Sequence, residues 1–166
     1  MTTIRTNYFR FLILGLFMTL SLSMGAASRL FHISRSVNKN IVCYDVQMKN
    51  GALDLEKPIH VYWHNNEDRP GAEDELSAIQ RKMAYGYKVK TTGTNEATVV
   101  LTAYGKRTIK VCKRSGKWVA LININGKECY LSEIYVKCKG PMSVEYVELR
   151  GKAVNGGSKQ IEKVKA

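Results

Sequence analysis

Three apolar runs, Thr108–Arg114, Lys117–Ile124 and Cys129–Cys138, follow one another with almost nothing between them. Ser115-Gly116 separates the first two, and Asn125-Gly126 opens the link to the third. Links of this composition supply the positive φ that a tight hairpin needs, and they are too short for a crossover. The three runs must therefore lie side by side as antiparallel strands, and the rest of the chain must be compatible with a sheet.

The other segments read the same way. Leu30–Ile33, Ile41–Gln47, Pro58–His64, Tyr85–Lys90, Ala97–Tyr104 and Val144–Gly151 are short runs rich in β-branched and aromatic residues, and turn signals such as Lys49-Asn50-Gly51 separate them. In "PIHVYWH", Ile59, Val61 and Trp63 share one face, and His60, Tyr62 and His64 the other. One segment breaks the period. In "EDELSAIQRKMAYG", Leu76, Ile79 and Met83 form a helical stripe; Glu73, Asp74 and Glu75 precede it, Arg81 and Lys82 fall near its end, and Gly86 follows. The expected fold is mainly β: an antiparallel barrel or sandwich of about eight to nine strands, with one short α-helix to plug or cover an end.

At the N-terminus, Arg5 and Arg10 precede an apolar run, Phe11–Met24, and Gly25-Ala26-Ala27 follows with small residues. This three-part pattern predicts a secretory signal peptide over 1–27, and the run is short for a membrane-spanning helix. No cysteine follows the small residues until Cys43, which argues against a lipoprotein, and Arg5 and Arg10 are not adjacent, which argues against twin-arginine export. The expected organisation is a leader at 1–27, a single β-rich domain at 28–153, and a polar tail at 154–166 that frays, with at most weak packing from Ile161 and Val164. The expected location is outside the cytoplasm, in the periplasm or cell envelope.

The formal net charge is +12. In an exported chain that excess favours anionic envelope lipid or glycan over nucleic acid as a partner, with membrane contact peripheral at most. The basic residues are scattered in short groups, such as Lys88/Lys90, Lys113/Arg114/Lys117 and Lys159/Lys163/Lys165, so solubility and protection of strand edges account for them more simply. Four cysteines, Cys43, Cys112, Cys129 and Cys138, allow one or two disulfides in three connectivities. A chain of this size does not need such staples, and buried free thiols fit equally well.

Patterns for chemistry are absent. The sequence has no GxSxG elbow, no cysteine-protease signature, no Gly-rich phosphate loop and no CxxC pair. His60 and His64 stand four residues apart on one strand, about 13 Å at the usual rise, too far to share a metal. The acidic group Glu67, Asp68, Glu73, Asp74 and Glu75 lacks the spacing of a calcium loop. No catalytic residue, metal or cofactor is expected. What remains is a binding surface. Phe31, Ile33 and Arg35 share a face, and if that face is interior, Arg35 needs a carboxylate or an anionic ligand. With Asn38 and Asn40 from the polar knot 35–40, and the aromatics Tyr62, Trp63, Tyr85 and Tyr87, it makes up the candidate ligand-binding set. The alternative is that Trp63 is core and the tyrosines line it.

Taken in order, "RLFHISRSVNKNIVCYD", "PIHVYWH", "AIQRKMAYGYKV" and "VEYVELRGKAVNGG" resemble an uncharacterised family of secreted bacterial proteins, domain of unknown function 4833. The matching positions are Arg35, Ser36, Asn38 and Asn40; Pro58, Tyr62 and Trp63; Ala84, Tyr85, Gly86 and Tyr87; and Tyr146, Glu148 and Gly151. The resemblance implies one secreted domain and brings no activity with it. The expectation is an exported envelope protein that binds a small ligand or partner without catalysis. Two alternatives are an enzyme on envelope glycan or lipid, using Glu148 or the acidic loop, and a structural or assembly protein.

Overall fold

The computed structural model describes residues 28–140 and 143–165. The expected leader over 1–27 lies outside the described residues. The chain runs β1 (Arg29–Arg35), β2 (Asn38–Val46), β3 (Met48–Lys49), β4 (Ala52–Leu53), β5 (Ile59–His64), β6 (Glu73–Glu75), α1 (Ala78–Gln80) and a π-helical turn (Arg81–Tyr85). Seven strands follow: β7 (Tyr87–Gly93), β8 (Glu96–Leu101), β9 (Tyr104–Arg114), β10 (Lys117–Ile124), β11 (Lys127–Gly140), β12 (Ser143–Ala153) and β13 (Lys159–Lys165).

Each of the nine expected runs is a strand, and four further strands bring the total to thirteen among the described residues. β3 and β4 pair across Asn50-Gly51, both at positive φ. β6 arises from the acidic run expected to open the helix. There Glu73, Asp74 and Glu75 pair with β5, and their charges meet side chains rather than a helix end: Asp74 meets Arg69, and Glu75 meets His60 and Arg81. The polar tail supplies β13, which pairs with β12 from Tyr146↔Lys165 to Lys152↔Lys159. The Arg107 guanidinium clips it through Glu162, whose carboxylate also accepts from the Asn125 N–H at 2.7 Å.

The helix is shorter than its stripe implied. Ser77 and Gln80 form a reciprocal capping box that starts α1 after the acidic run. The π-turn then closes on Gly86, whose N–H donates to the Arg81 carbonyl at 3.1 Å. A Cβ on Gly86 would lie 2.0 Å from that oxygen, so only glycine fits. Leu76 is buried, whereas Ile79 and Met83 are 71% and 72% exposed.

The main sheet runs β6-β5-β2-β1-β11-β10-β9-β8-β7, with β12 and β13 branching from β11. It is mixed, which corrects the antiparallel expectation: β1 lies parallel to β11, from His32↔Glu133 to Arg35↔Val136. Hairpins dictate direction only between sequence neighbours, and β1 and β11 come from opposite ends of the chain. β12 occupies one edge of β11 from Cys129 to Gly140. The other edge therefore serves β10 first, at residues 127–130, and then β1, at 133–136. The sheet forks there, and its two arms curl over a common core as a half-barrel. That core joins Phe31, Tyr44 and Val61 of one arm to Val99, Ile109 and Ile124 of the other, with Leu149 of β12. Phe31 and Tyr44 stack with centroids 4.4 Å apart. At the fork, a Cβ on Gly151 would lie 2.4 Å from the Tyr130 carbonyl oxygen, so the β11–β12 approach requires glycine.

All four cysteines are free thiols; Cys43, Cys112 and Cys129 are buried, and Cys138 is half-buried. Burial pushes the Cys43 thiol up to about 11, which removes it as a nucleophile at neutral pH.

Candidate functional site

The two ends of the curled sheet meet through side chains. The Tyr87 hydroxyl accepts from the Ile59 N–H at 3.1 Å and donates to the Ile59 carbonyl at 2.7 Å, standing in for a strand pair between β7 and β5. The Tyr44 hydroxyl donates to the Tyr85 carbonyl at 2.6 Å. β6 covers β5 only from Tyr62 to His64, so the first half of β5 is left beside the seam. A cleft of about 420 Å³ opens there. Gln47, Ile59, Val61, Gly86 and Tyr87 line it, together with a charged wall of Lys57, His60, Glu75 and Arg81.

Glu75 ties that wall together. Its Oε1 lies 2.9 Å from His60 Nε2, and the Arg81 guanidinium meets its other oxygen. A carboxylate only accepts, so Nε2 carries the ring proton. The His60 bond, with Arg81 alongside, holds the Glu75 carboxyl below the usual carboxylate range. Lys57 lies in the same wall and forms no ion pair among the described residues. The wall thus presents one free cation and one cation shared with an internal carboxylate.

Arg35, Trp63 and Tyr85 come together on the core-facing side, beyond the π-turn from the cleft. The Arg35 guanidinium lies over the Trp63 ring at 5.0 Å, and Tyr85 meets Trp63 edge-on at 5.2 Å. Of the two partners expected for Arg35, a carboxylate or an anionic ligand, no carboxylate pairs with it among the described residues, and its guanidinium packs on an aromatic face instead. Burial raises the Tyr85 phenol even though Arg35 opposes it. Asn38 faces Arg35 across the β1–β2 hairpin. Arg35 Nε and Asn38 Oδ1 are buried without a hydrogen-bond partner among the described residues.

The rest of the expected set lies elsewhere. Asn40 Oδ1 accepts from the backbone N–H groups of Asn66 and Glu67, at 2.8 and 3.2 Å, and fastens the 65–72 loop. Tyr62 points to the opposite face, where it donates to buried Asp45 at 2.8 Å and accepts from Arg29 at 3.0 Å. Tyr87 lines the cleft while closing the seam. The polar knot is a hairpin turn at Ser36-Val37, and Ser36 is bound to β11 through Val136 and Cys138. Sequence reasoning missed Lys57, His60, Glu75 and Arg81 as a group. Alternation did separate His60 from Ile59 and Val61, but nothing in the spacing brings Glu75 and Arg81 to it.

Glu148, the carboxylate of the enzymatic alternative, accepts from Arg150 Nε at 3.0 Å and Nη2 at 2.6 Å. Arg150 Nη1 also reaches Glu133 at 3.0 Å, so one guanidinium bridges two carboxylates on the face opposite the core. Burial raises Glu133, but hydrogen bonds from Ser34 and Arg150 outweigh it and hold the carboxyl low.

Searches of curated proteins and of solved structures found no match. Residues 31–163, from Phe31 in β1 to Lys163 in β13, match one family. The fork, the seam and the cleft all fall within that span, and the chain belongs to the family described as Domain of unknown function (DUF4833).

Proposed function

We propose that the protein is an exported domain of the bacterial cell envelope that binds a small, negatively charged ligand in the seam cleft without turning it over. The observation that carries this reading is the cleft itself. It has the volume of an ordinary small-molecule site, and Lys57, His60 and Arg81 are all among its lining residues. Its lining includes no serine, threonine or cysteine nucleophile, and its one carboxylate is held by His60 and Arg81. Glu148 likewise stands bridged to Arg150 and is not among the residues that line this cleft. The leader pattern at 1–27 and the excess of basic residues support export to an anionic envelope.

Native mass spectrometry on protein purified from the envelope of its own host tests both halves. The expected spectrum shows a chain beginning at Ser28 with an adduct that disappears on denaturation and is absent from Lys57→Gln. A mass that includes residues 1–27 refutes export by this leader. An adduct unaffected by Lys57→Gln, or none at all, refutes the cleft as the site.

A further inference from the structure

The outer face of β11, β12 and β13 carries cations that the fold does not use. Leu149 and Ala153 of β12 belong to the core, so the alternate residues Tyr146, Glu148, Arg150 and Lys152 stand on the opposite face. The ladders fix their neighbours. Lys152 is opposed by Lys159 of β13 and by Tyr130 of β11. Tyr146 is opposed by Lys165 of β13 and by Lys137 of β11, and Lys163 Nζ lies 3.5 Å from the centre of its ring. Two lysine groups therefore stand toward opposite ends of β12, separated by about 20 Å at the usual rise of a strand. Between them Arg150 bridges Glu133 and Glu148 and covers the Tyr135 ring at 4.5 Å.

The balance of charge on this face is positive. Lys137, Arg150, Lys152, Lys159, Lys163 and Lys165 stand against Glu128, Glu133 and Glu148. Glu133 and Glu148 are both taken by Arg150, and none of the five lysines forms an ion pair among the described residues. Like charges placed directly opposite weaken a ladder, and Lys152 and Lys159 are such a pair. A bound anion would remove that penalty.

We propose that this face binds an acidic polysaccharide laid along β12, its anionic groups at the two lysine clusters and its hydroxyls against the Glu133–Arg150–Glu148 bridge. The bridge selects among polyanions. Its carboxylates repel the closely spaced phosphates of a nucleic acid or a bilayer, but they accept hydrogen bonds from sugar hydroxyls while Arg150 donates to them. The exposed large hydrophobic residues of these strands, Val144 and Ile161, are set apart from each other and offer little to insert into a membrane. A protein partner would find charge at the centre of the face, where interfaces are depleted of it. The rings of Tyr135 and Tyr146 hold Arg150 and Lys163 in place, which lowers the entropy lost on binding.

The test is calorimetric titration of the full mature chain with polygalacturonate and with alginate at near-physiological salt. Polyphosphate serves as a polyanion without sugar, and dextran as an uncharged glycan. Binding is expected to at least one of the two uronates, at least tenfold tighter per charge than to polyphosphate, with none to dextran. Lys152→Gln/Lys159→Gln and Lys163→Gln/Lys165→Gln, altered at exposed positions and checked by thermal melts, should each lose at least tenfold. Lys88→Gln/Lys90→Gln removes the same charge from exposed positions on β7 and should bind as wild type. Failure to bind either uronate, a smaller preference over polyphosphate, binding to dextran, or equal losses in the β7 control overturns the inference. Lys57→Gln should leave polysaccharide binding unchanged. If it abolishes binding while both face variants retain it, the face is overturned and the cleft reading stands.

Discussion

Tyr87→Phe isolates the contact that closes the curled sheet. The substitution keeps the ring and removes one oxygen, which both accepts from the Ile59 N–H at 3.1 Å and donates to the Ile59 carbonyl at 2.7 Å. Ile59 is only 3% exposed, so both its backbone groups lose a partner in a largely buried setting. Each such group left unsatisfied costs about 1–3 kcal/mol when water cannot reach it. The adjacent cleft admits water at the seam, which places the total near the lower end, at about 1–3 kcal/mol for the pair. That is a substantial share of the roughly 5–15 kcal/mol that holds a domain of this size together. Urea unfolding followed by circular dichroism should show a lower midpoint at unchanged slope, and hydrogen exchange at the Ile59 amide should accelerate. Tyr146→Phe is the control. Its hydroxyl has no partner among the described hydrogen bonds, and its ring face, with Lys163 at 3.5 Å, is retained. Loss of less than about 0.5 kcal/mol in Tyr87→Phe, matching this surface control, would refute the claim that side chains close the half-barrel.

Gly151→Ala should cost about 3 kcal/mol or prevent folding, because the new methyl would sit 2.4 Å from a backbone oxygen that cannot move without breaking the β11–β12 ladder; a near-wild-type urea midpoint would contradict this. The Arg107 hydrogen bond holds the Glu162 carboxyl below its usual range, so the stabilisation is present above the unfolded value of about 4.3 and is lost as pH falls through the lower folded value. Glu162→Gln should therefore flatten the acid limb of the stability–pH curve measured by thermal melts. Ellman titration should find Cys138 reactive in the native protein, with the three buried thiols appearing only on unfolding; an intact mass lower by the hydrogens of a disulfide would refute four free thiols.

The nine strands and their hairpins were legible because each rests on a local signal: period-two alternation and turn residues such as Asn125-Gly126. Asn125 adopts φ 52° and Gly126 φ 78°, the left-handed conformation that pair tolerates. The helix was overestimated for the opposite reason. The Leu76, Ile79 and Met83 stripe satisfies a helical period, but periodicity does not say whether a neighbour covers the face, and here only Leu76 is covered. β6 and β13 were missed because polar strands carry no apolar signal; an edge and ion pairs supplied from elsewhere hold them. Of the expected site residues, Arg35, Trp63 and Tyr85 do meet. Asn40 and Tyr62 are anchors for a loop and for Asp45. Two of the residues singled out by family resemblance, Gly86 and Gly151, prove to be points of close backbone approach, where any side chain would collide.

Local chemistry by itself determined that this chain would be mainly β, where its hairpins turn, and that Trp63 would share a strand face with Ile59 and Val61. Those outcomes depend on interactions between residues a few positions apart, which the order of side chains specifies directly. The parallel β1–β11 pair, the fork at β11 and the seam closed by Tyr87 were decided only in three dimensions. Each joins segments distant in sequence, and which edge a strand takes is settled by the shared core that both arms bury. The cleft belongs to that second class, because Lys57, His60, Glu75 and Arg81 become neighbours only when the sheet curls and stops short of closing.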